Sequence, residues 1–195
     1  YLMGRALAGL QRAEAAAEHF RRAVDLDPMP WRAPAQSVEA IRRAAMSGGA
    51  ALCDLQRAFR AASAEGSIGW DLMDDHVHPS LRGQELAART VVRTIVEERL
   101  LPHPPSFAVD ELSDGEEYAR RLGANAFEDY AVHYAMRLLA QLPFYRDSNP
   151  AFHARCDEAC RRFEGEVAPE IREALRAWAE QPMKDGERRP MSGVV

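Results

Sequence analysis

Lysine is almost absent from this chain: Lys184 stands alone among 25 basic side chains, set against 30 acidic ones. The arginines are scattered, and no basic stripe is interleaved with aromatics. With a formal net charge of −5, that pattern excludes a nucleic-acid-binding surface. Long hydrophobic runs are missing too. No stretch approaches the roughly 20 consecutive apolar residues of a membrane-spanning helix. Cysteine is scarce, at 3 in 195 residues, which argues against a disulfide framework. Cys53 sits in an apolar run, while Cys156 and Cys160 fall one helical turn apart with His153 close by. Those three could face a metal from one side of a helix, but no fourth ligand is evident, and small apolar positions on an amphipathic helix account for both cysteines. No cofactor is expected.

What the chain does have is 47% hydrophobic content, enough to bury a sizeable core in one large or two small domains. The chemistry is concentrated in the stretch Trp70-Asp71-Leu72-Met73-Asp74-Asp75-His76-Val77-His78-Pro79-Ser80-Leu81-Arg82-Gly83. Asp75 and His78 stand three apart. On a turn entering a helix, that spacing lets the carboxylate fold back to accept a hydrogen bond from one ring nitrogen while the other faces outward, the arrangement of an orienter and a general base in acyl transfer. Two plainer readings compete. The acids could cap the following helix at its positive end, or His76 and His78 could share a metal if the loop is extended. Ser80 sits where a helix begins, which suffices to explain it.

Along the rest of the chain, residues 1 to 25 carry two apolar stripes, Leu2, Met3, Ala6, Leu7 and Leu10, then Ala16, Ala17, Phe20, Ala23 and Val24, and predict a helical hairpin. Asp27 to Pro34 is a loop, because its prolines forbid helix and central strand. Ser37 is expected to cap a helix to about Met46 with Val38, Ile41 and Ala45 inward, ended by Gly48 and Gly49. Ala50 to Leu55 is short, apolar and bounded by glycines, so a buried strand is predicted there. Leu55 to Ala62 returns to helical spacing. Leu86 to Leu100 has a stripe so broad that it must pack on a sheet or a helical layer.

Leu101-Pro102-His103-Pro104-Pro105-Ser106 breaks the chain, and beyond it the pattern is wholly helical. Ser113 with Glu116 predicts a capping box. Asn125 predicts the cap of a longer helix ending at Pro143, and Asn149-Pro150 and Pro169 open two more. Phe127, Tyr130, Tyr134, Phe144 and Tyr145 either line a pocket or form core, and helical spacing favours core. Gln181 to Val195 is polar and is expected to fray.

Asp75-x-x-His78 followed by Pro79, Gly83 and the helix of Leu86, Ala87 and Ala88 resembles the last motif of the SGNH (GDSL-type) hydrolase family. The resemblance covers roughly residues 29 to 101. It implies an α/β fold, here the C-terminal part of a three-layer parallel-sheet domain, with His78 and Asp75 serving a serine on an earlier segment. No Gly-Asp-Ser block, nor the glycine and asparagine loops of the oxyanion hole, is present. Tyr1 opens in mid-helix, so the chain is expected to be the C-terminal part of a longer protein and inactive alone. The spacing of Gly4, Ala16, Phe20, Ala23 and Pro28 resembles the later part of a tetratricopeptide repeat, although Leu7 stands where the repeat prefers tyrosine.

The expected organisation is a repeat-like hairpin over 1–28, a hydrolase-like part over 29–101 and a helical extension over 102–195. The expected function is hydrolysis of a small ester or acylated carbohydrate. The alternative is a helical-repeat module that binds a protein partner and carries a non-catalytic hydrolase-like segment.

Overall fold

Alanine and glycine set the geometry of the first two helices, α1 (Leu2–Gly9) and α2 (Ala13–Asp25). A Cβ on Gly4 would lie 2.8 Å from the Phe20 ring, so only glycine lets the two helices come together there, and Ala16 is buried beside them. The computed structural model describes residues 1–27, 32–63, 67–75, 77–103 and 107–180. The proline loop at 28–31 and the expected frayed tail at 181–195 lie outside the described residues. Two compact units divide at Ala119 and Arg120.

In the first unit, α3 (Ala35–Gly48) starts at Pro34 rather than at Ser37. Asp25 Oδ1 accepts a hydrogen bond from the Ala35 N–H at 2.8 Å, and the Ser37 N–H donates back to the Pro34 carbonyl at 3.0 Å. Ser37 therefore lies inside the first turn. Gly49, at φ +63°, ends the helix in the left-handed region that favours glycine. No residue of α3 is buried, and Ile41, expected inward, is 58% exposed.

The expected α/β fold is overturned: among the described residues there is no strand, and the architecture is all-α. Ala50 to Leu55, read as a buried strand, is spent on two helix ends. The Ala50 N–H donates to Ala45 O at 3.0 Å, the Leu55 N–H to Cys53 O at 3.1 Å, and Asp54 caps α4 (Leu55–Ala62) by accepting from the Arg57 N–H at 3.0 Å. A strand requires a partner for its backbone groups, and none stands beside this segment among the described residues. The parallel-sheet domain assigned to 29–101 goes with it.

The core of the first unit is Phe59, Leu72 and Met73, with Ile68, Leu86 and Ala87 packed around it. These side chains join α4 to α5 (Leu81–Glu97). Full burial of each large side chain stabilises by about 1.5–3 kcal/mol. Along the broad α5 stripe Leu86, Ala87, Val92, Ile95 and Val96 are half-buried, while Ala88 and Val91 stay exposed, Val91 at 40%. Arg89 then fastens the following segment: its guanidinium donates to the carbonyls of Val109, Leu112 and Ser113 at 3.1, 3.0 and 2.9 Å while pairing with Glu85 at 2.8 Å. At α6 (Gly115–Arg121), Asp114 Oδ1 accepts from the Glu117 N–H at 2.8 Å, in place of the box expected from Ser113 and Glu116.

The second unit contains α7 (Ala126–Leu139), α8 (Pro143–Ser148), α9 (Pro150–Glu164) and α10 (Pro169–Glu180). Asn125 Oδ1 caps α7, accepting from the Phe127 and Glu128 N–H groups at 3.1 Å. Tyr130 and Tyr134 are core, buried with Cys160, Val167 and Leu175. Cys156 is buried with Ala140 and Phe152, and Tyr145 packs against this group. Both cysteines thus act as small packing side chains between α7 and α9, and burial pushes the Cys160 thiol up from its ordinary value. The Phe144 side chain lies outside the described residues.

Candidate functional site

The loop from Gly69 to Ser80 closes on itself through its own backbone. The Leu72 and Met73 N–H groups donate to Gly69 O at 3.1 and 3.0 Å, Asp74 N–H to His78 O at 2.9 Å, and Ser80 N–H to Leu72 O at 3.0 Å. Met73 and Pro79 form an isolated antiparallel bridge at the neck. Asp74 and His78 are therefore held together at the neck of this loop. Leu72 and Met73 anchor it in the core, and Ser63 Oγ, within 2.6 Å of Ser67 O and 3.1 Å of Asp71 Oδ2, ties down the approach from α4.

Two residues lock the loop to α5. Ser80 Oγ accepts from the Gly83 N–H at 3.3 Å and caps the helix. Gly83 is buried, and a Cβ there would stand 2.1 Å from the Leu72 carbonyl oxygen, so the first turn of α5 lies directly on the loop backbone. The Pro79, Ser80 and Gly83 positions are thus explained by how the loop is seated.

Asp75 is 8% exposed. Its Oδ1 accepts from the Val77 and His78 N–H groups, both at 2.7 Å, an Asx-type turn that fixes the carboxylate plane. Its Oδ2 lies 2.7 Å from His78 Nδ1. None of the Asp75 bonds goes to α5, whose cap is Ser80, so the helix-capping reading of Asp75 does not describe this loop. The His78 side chain is 76% exposed, and its Nε2 has no hydrogen bond among the described residues.

Burial by itself would push the Asp75 carboxyl up, but the hydrogen bond from the His78 ring, the bonds from the His78 and Val77 N–H groups and the imidazolium charge outweigh it. The carboxyl is held below the usual carboxylate range and is ionised near neutral pH. An ionised carboxylate only accepts. When the imidazole is neutral, Nδ1 must therefore carry the proton, and the Nε2 lone pair points to solvent.

His76, weighed as a metal partner of His78, lies outside the described residues. Among the described residues no group of three or more His, Cys, Asp or Glu side chains is placed to hold a metal ion. The reading from sequence missed Arg32. Its half-buried guanidinium donates to Ile68 O at 3.5 Å, and burial lowers its pKa against the opposing pull of the Asp75 charge. Nothing in the spacing of a proline-rich loop signals this approach.

Comparison with family models, with curated proteins and with solved structures finds no match.

Proposed function

We propose that Asp75 and His78 are the orienter and general base of an SGNH-type ester or acyl-sugar hydrolase whose serine nucleophile lies outside this chain. The observation that carries the reading is the 2.7 Å contact of His78 Nδ1 with the buried Asp75 carboxylate, on a ring that is otherwise open to solvent. In this mechanism Nε2 takes the proton of an incoming serine hydroxyl as it attacks the acyl carbon. Asp75 holds the ring orientation and stabilises the imidazolium formed, and Nε2 returns the proton to the departing alkoxide.

The test uses the polypeptide encoded by the complete gene and a short-chain aryl ester. Activity that falls by roughly four to six orders of magnitude in His78→Ala supports the assignment. Activity that persists in that variant removes His78 from the mechanism.

A second reading rests on the first hairpin. The tight seating of Gly4 on Phe20, with Leu2 77% and Leu10 70% exposed, supports a repeat-like unit that presents an apolar edge to a protein partner, since a single repeat cannot bury its own face. Under that reading the complete protein retains partner binding but hydrolyses no ester.

A further inference from the structure

The loop that carries Asp75 and His78 has a cation at its base. Arg32, on the segment that leads into α3, is half-buried and donates to Ile68 O at 3.5 Å. Ile68 packs against the core of Phe59, Leu72 and Met73. Its neighbour Gly69 offers the carbonyl that receives the Leu72 and Met73 N–H groups. Met73 stands two residues before Asp75, whose exposure is 8%. A half-buried guanidinium and a buried carboxylate are thus seated on one short piece of backbone.

Neither charge is fully screened by water, and salt weakens partly buried charges far less than exposed ones. Burial works against the Arg32 charge, and Asp75 is the carboxylate whose charge offsets it. The acids that share the cleft wall with Arg32 are turned elsewhere. Asp25 accepts from the Ala35 N–H at 2.8 Å, and Glu39 pairs with Arg42. The other charged groups around the pair are Asp71 and Asp74 on the loop, Arg60 on α4 and Arg82 in the first turn of α5. Asp71 Oδ2 lies 3.1 Å from Ser63 Oγ.

We propose that Arg32 is a positioning residue for the Asp75–His78 pair, a cation at the base of the loop that shares the Asp75 carboxylate with the His78 ring. An imidazole facing a buried carboxylate that has no other counter-charge is driven towards imidazolium, and a second cation on that carboxylate opposes the drive. The catalytic consequence rests on the base reading given above: a base must be free of its proton at working pH, and Arg32 keeps Nε2 bare closer to neutrality.

The test needs no substrate. His78 is titrated by imidazole NMR in the intact chain, in wild type, Arg32→Gln, Arg32→Met and Arg32→Lys. Loss of the cation should raise the His78 midpoint by about half a pH unit in both neutral variants, roughly threefold in proton affinity. Arg32→Lys, which keeps the charge, should stay within about 0.2 of a pH unit of wild type. A purely structural tether predicts the opposite sign, because a loosened loop weakens the Asp75 contact and the midpoint then falls. Arg32→Met retains the aliphatic stem of the side chain, so it gives a second neutral variant should Arg32→Gln fold poorly, and circular dichroism checks both. An unchanged or lowered midpoint in the neutral variants, or Arg32→Lys behaving as Arg32→Gln does, overturns the proposal. The base reading fails separately: esterase activity that survives His78→Ala in the complete gene product removes that reading and leaves the measured coupling of Arg32 to the pair standing.

Discussion

Gly83 lies directly beneath the carbonyl of Leu72, so close that a methyl group in place of its hydrogen would sit 2.1 Å from that oxygen. Backbone cannot yield as a flexible side chain can. The loop that carries Asp75 and His78 is consequently set by the first turn of α5, and the two form one unit with the Phe59, Leu72 and Met73 core.

Gly83→Ala should therefore destabilise the first unit by about 3 kcal/mol, as an over-packed core position does. Denaturant unfolding measures this. Ser80→Ala, which removes only the cap, should cost about 1 kcal/mol. Equal stability of Gly83→Ala and wild type would mean that the loop does not rest on α5 in this way.

The cap at Asp54 is a second separable contribution. Its carboxylate takes the Arg57 N–H at 3.0 Å and the Arg42 side chain at 2.8 Å, and the hydrogen bond from Arg42 is the main cause holding it below the usual carboxylate range. Asp54→Ala should lower stability by about 1–2 kcal/mol in the same unfolding assay. Asp54→Asn, which keeps a side-chain acceptor, should recover about half of that.

Arg89 predicts a local effect. With three carbonyls on one guanidinium, Arg89→Ala should reduce hydrogen-exchange protection of residues 107 to 115 by roughly 2 kcal/mol. Protection on α4 should fall less, because the Phe59 packing does not involve Arg89.

Asp75 predicts the sign of a pH dependence. Its carboxyl titrates below the unfolded value of about 3.9, so the stability it contributes is present above that pH and is lost as pH falls through its folded value. Wild type should exceed Asp75→Asn in denaturant midpoint at pH 6, and the gap should narrow at pH 3. A gap that widens on acidification contradicts the hydrogen-bonding pattern at Oδ1 and Oδ2.

Much of the helical order was legible in residues. Leu55 and Ala62 bound α4 as their spacing predicts, Asn125 caps α7, and Pro150 and Pro169 open α9 and α10. These features are local, decided within a turn or two by capping and by the fixed backbone of proline. The strand expected at Ala50 to Leu55 was not local: a short apolar run forms a strand only if another strand pairs with it. Helix α8 is not signalled by its sequence, because a proline both stops a preceding helix and opens a following one, and Pro143 here is a first-turn residue. At the site, the Asp75 to His78 spacing pointed to the pair, whereas the contact of Gly83 with Leu72 and the approach of Arg32 depend on tertiary folding and leave no periodic trace.

The catalytic reading makes a demand on neighbours as well. In the complete gene product, Asp75→Ala should lose about as much esterase activity as Asp-deletion does in related triads, roughly four orders of magnitude, while Asp74→Ala should stay within about tenfold of wild type. The isolated chain should be inert towards the same aryl ester.

The most direct measurement of the central claim is the tautomer of His78, read from imidazole nitrogen NMR of the intact chain at a pH where the ring is neutral. The geometry predicts a proton on Nδ1 and a bare Nε2 in wild type, with the Nδ1–H population reduced in Asp75→Asn because the amide can present its own N–H to the ring. A proton on Nε2 in wild type, or a tautomer ratio indifferent to Asp75→Asn, would contradict the assignment of His78 as a base oriented by Asp75.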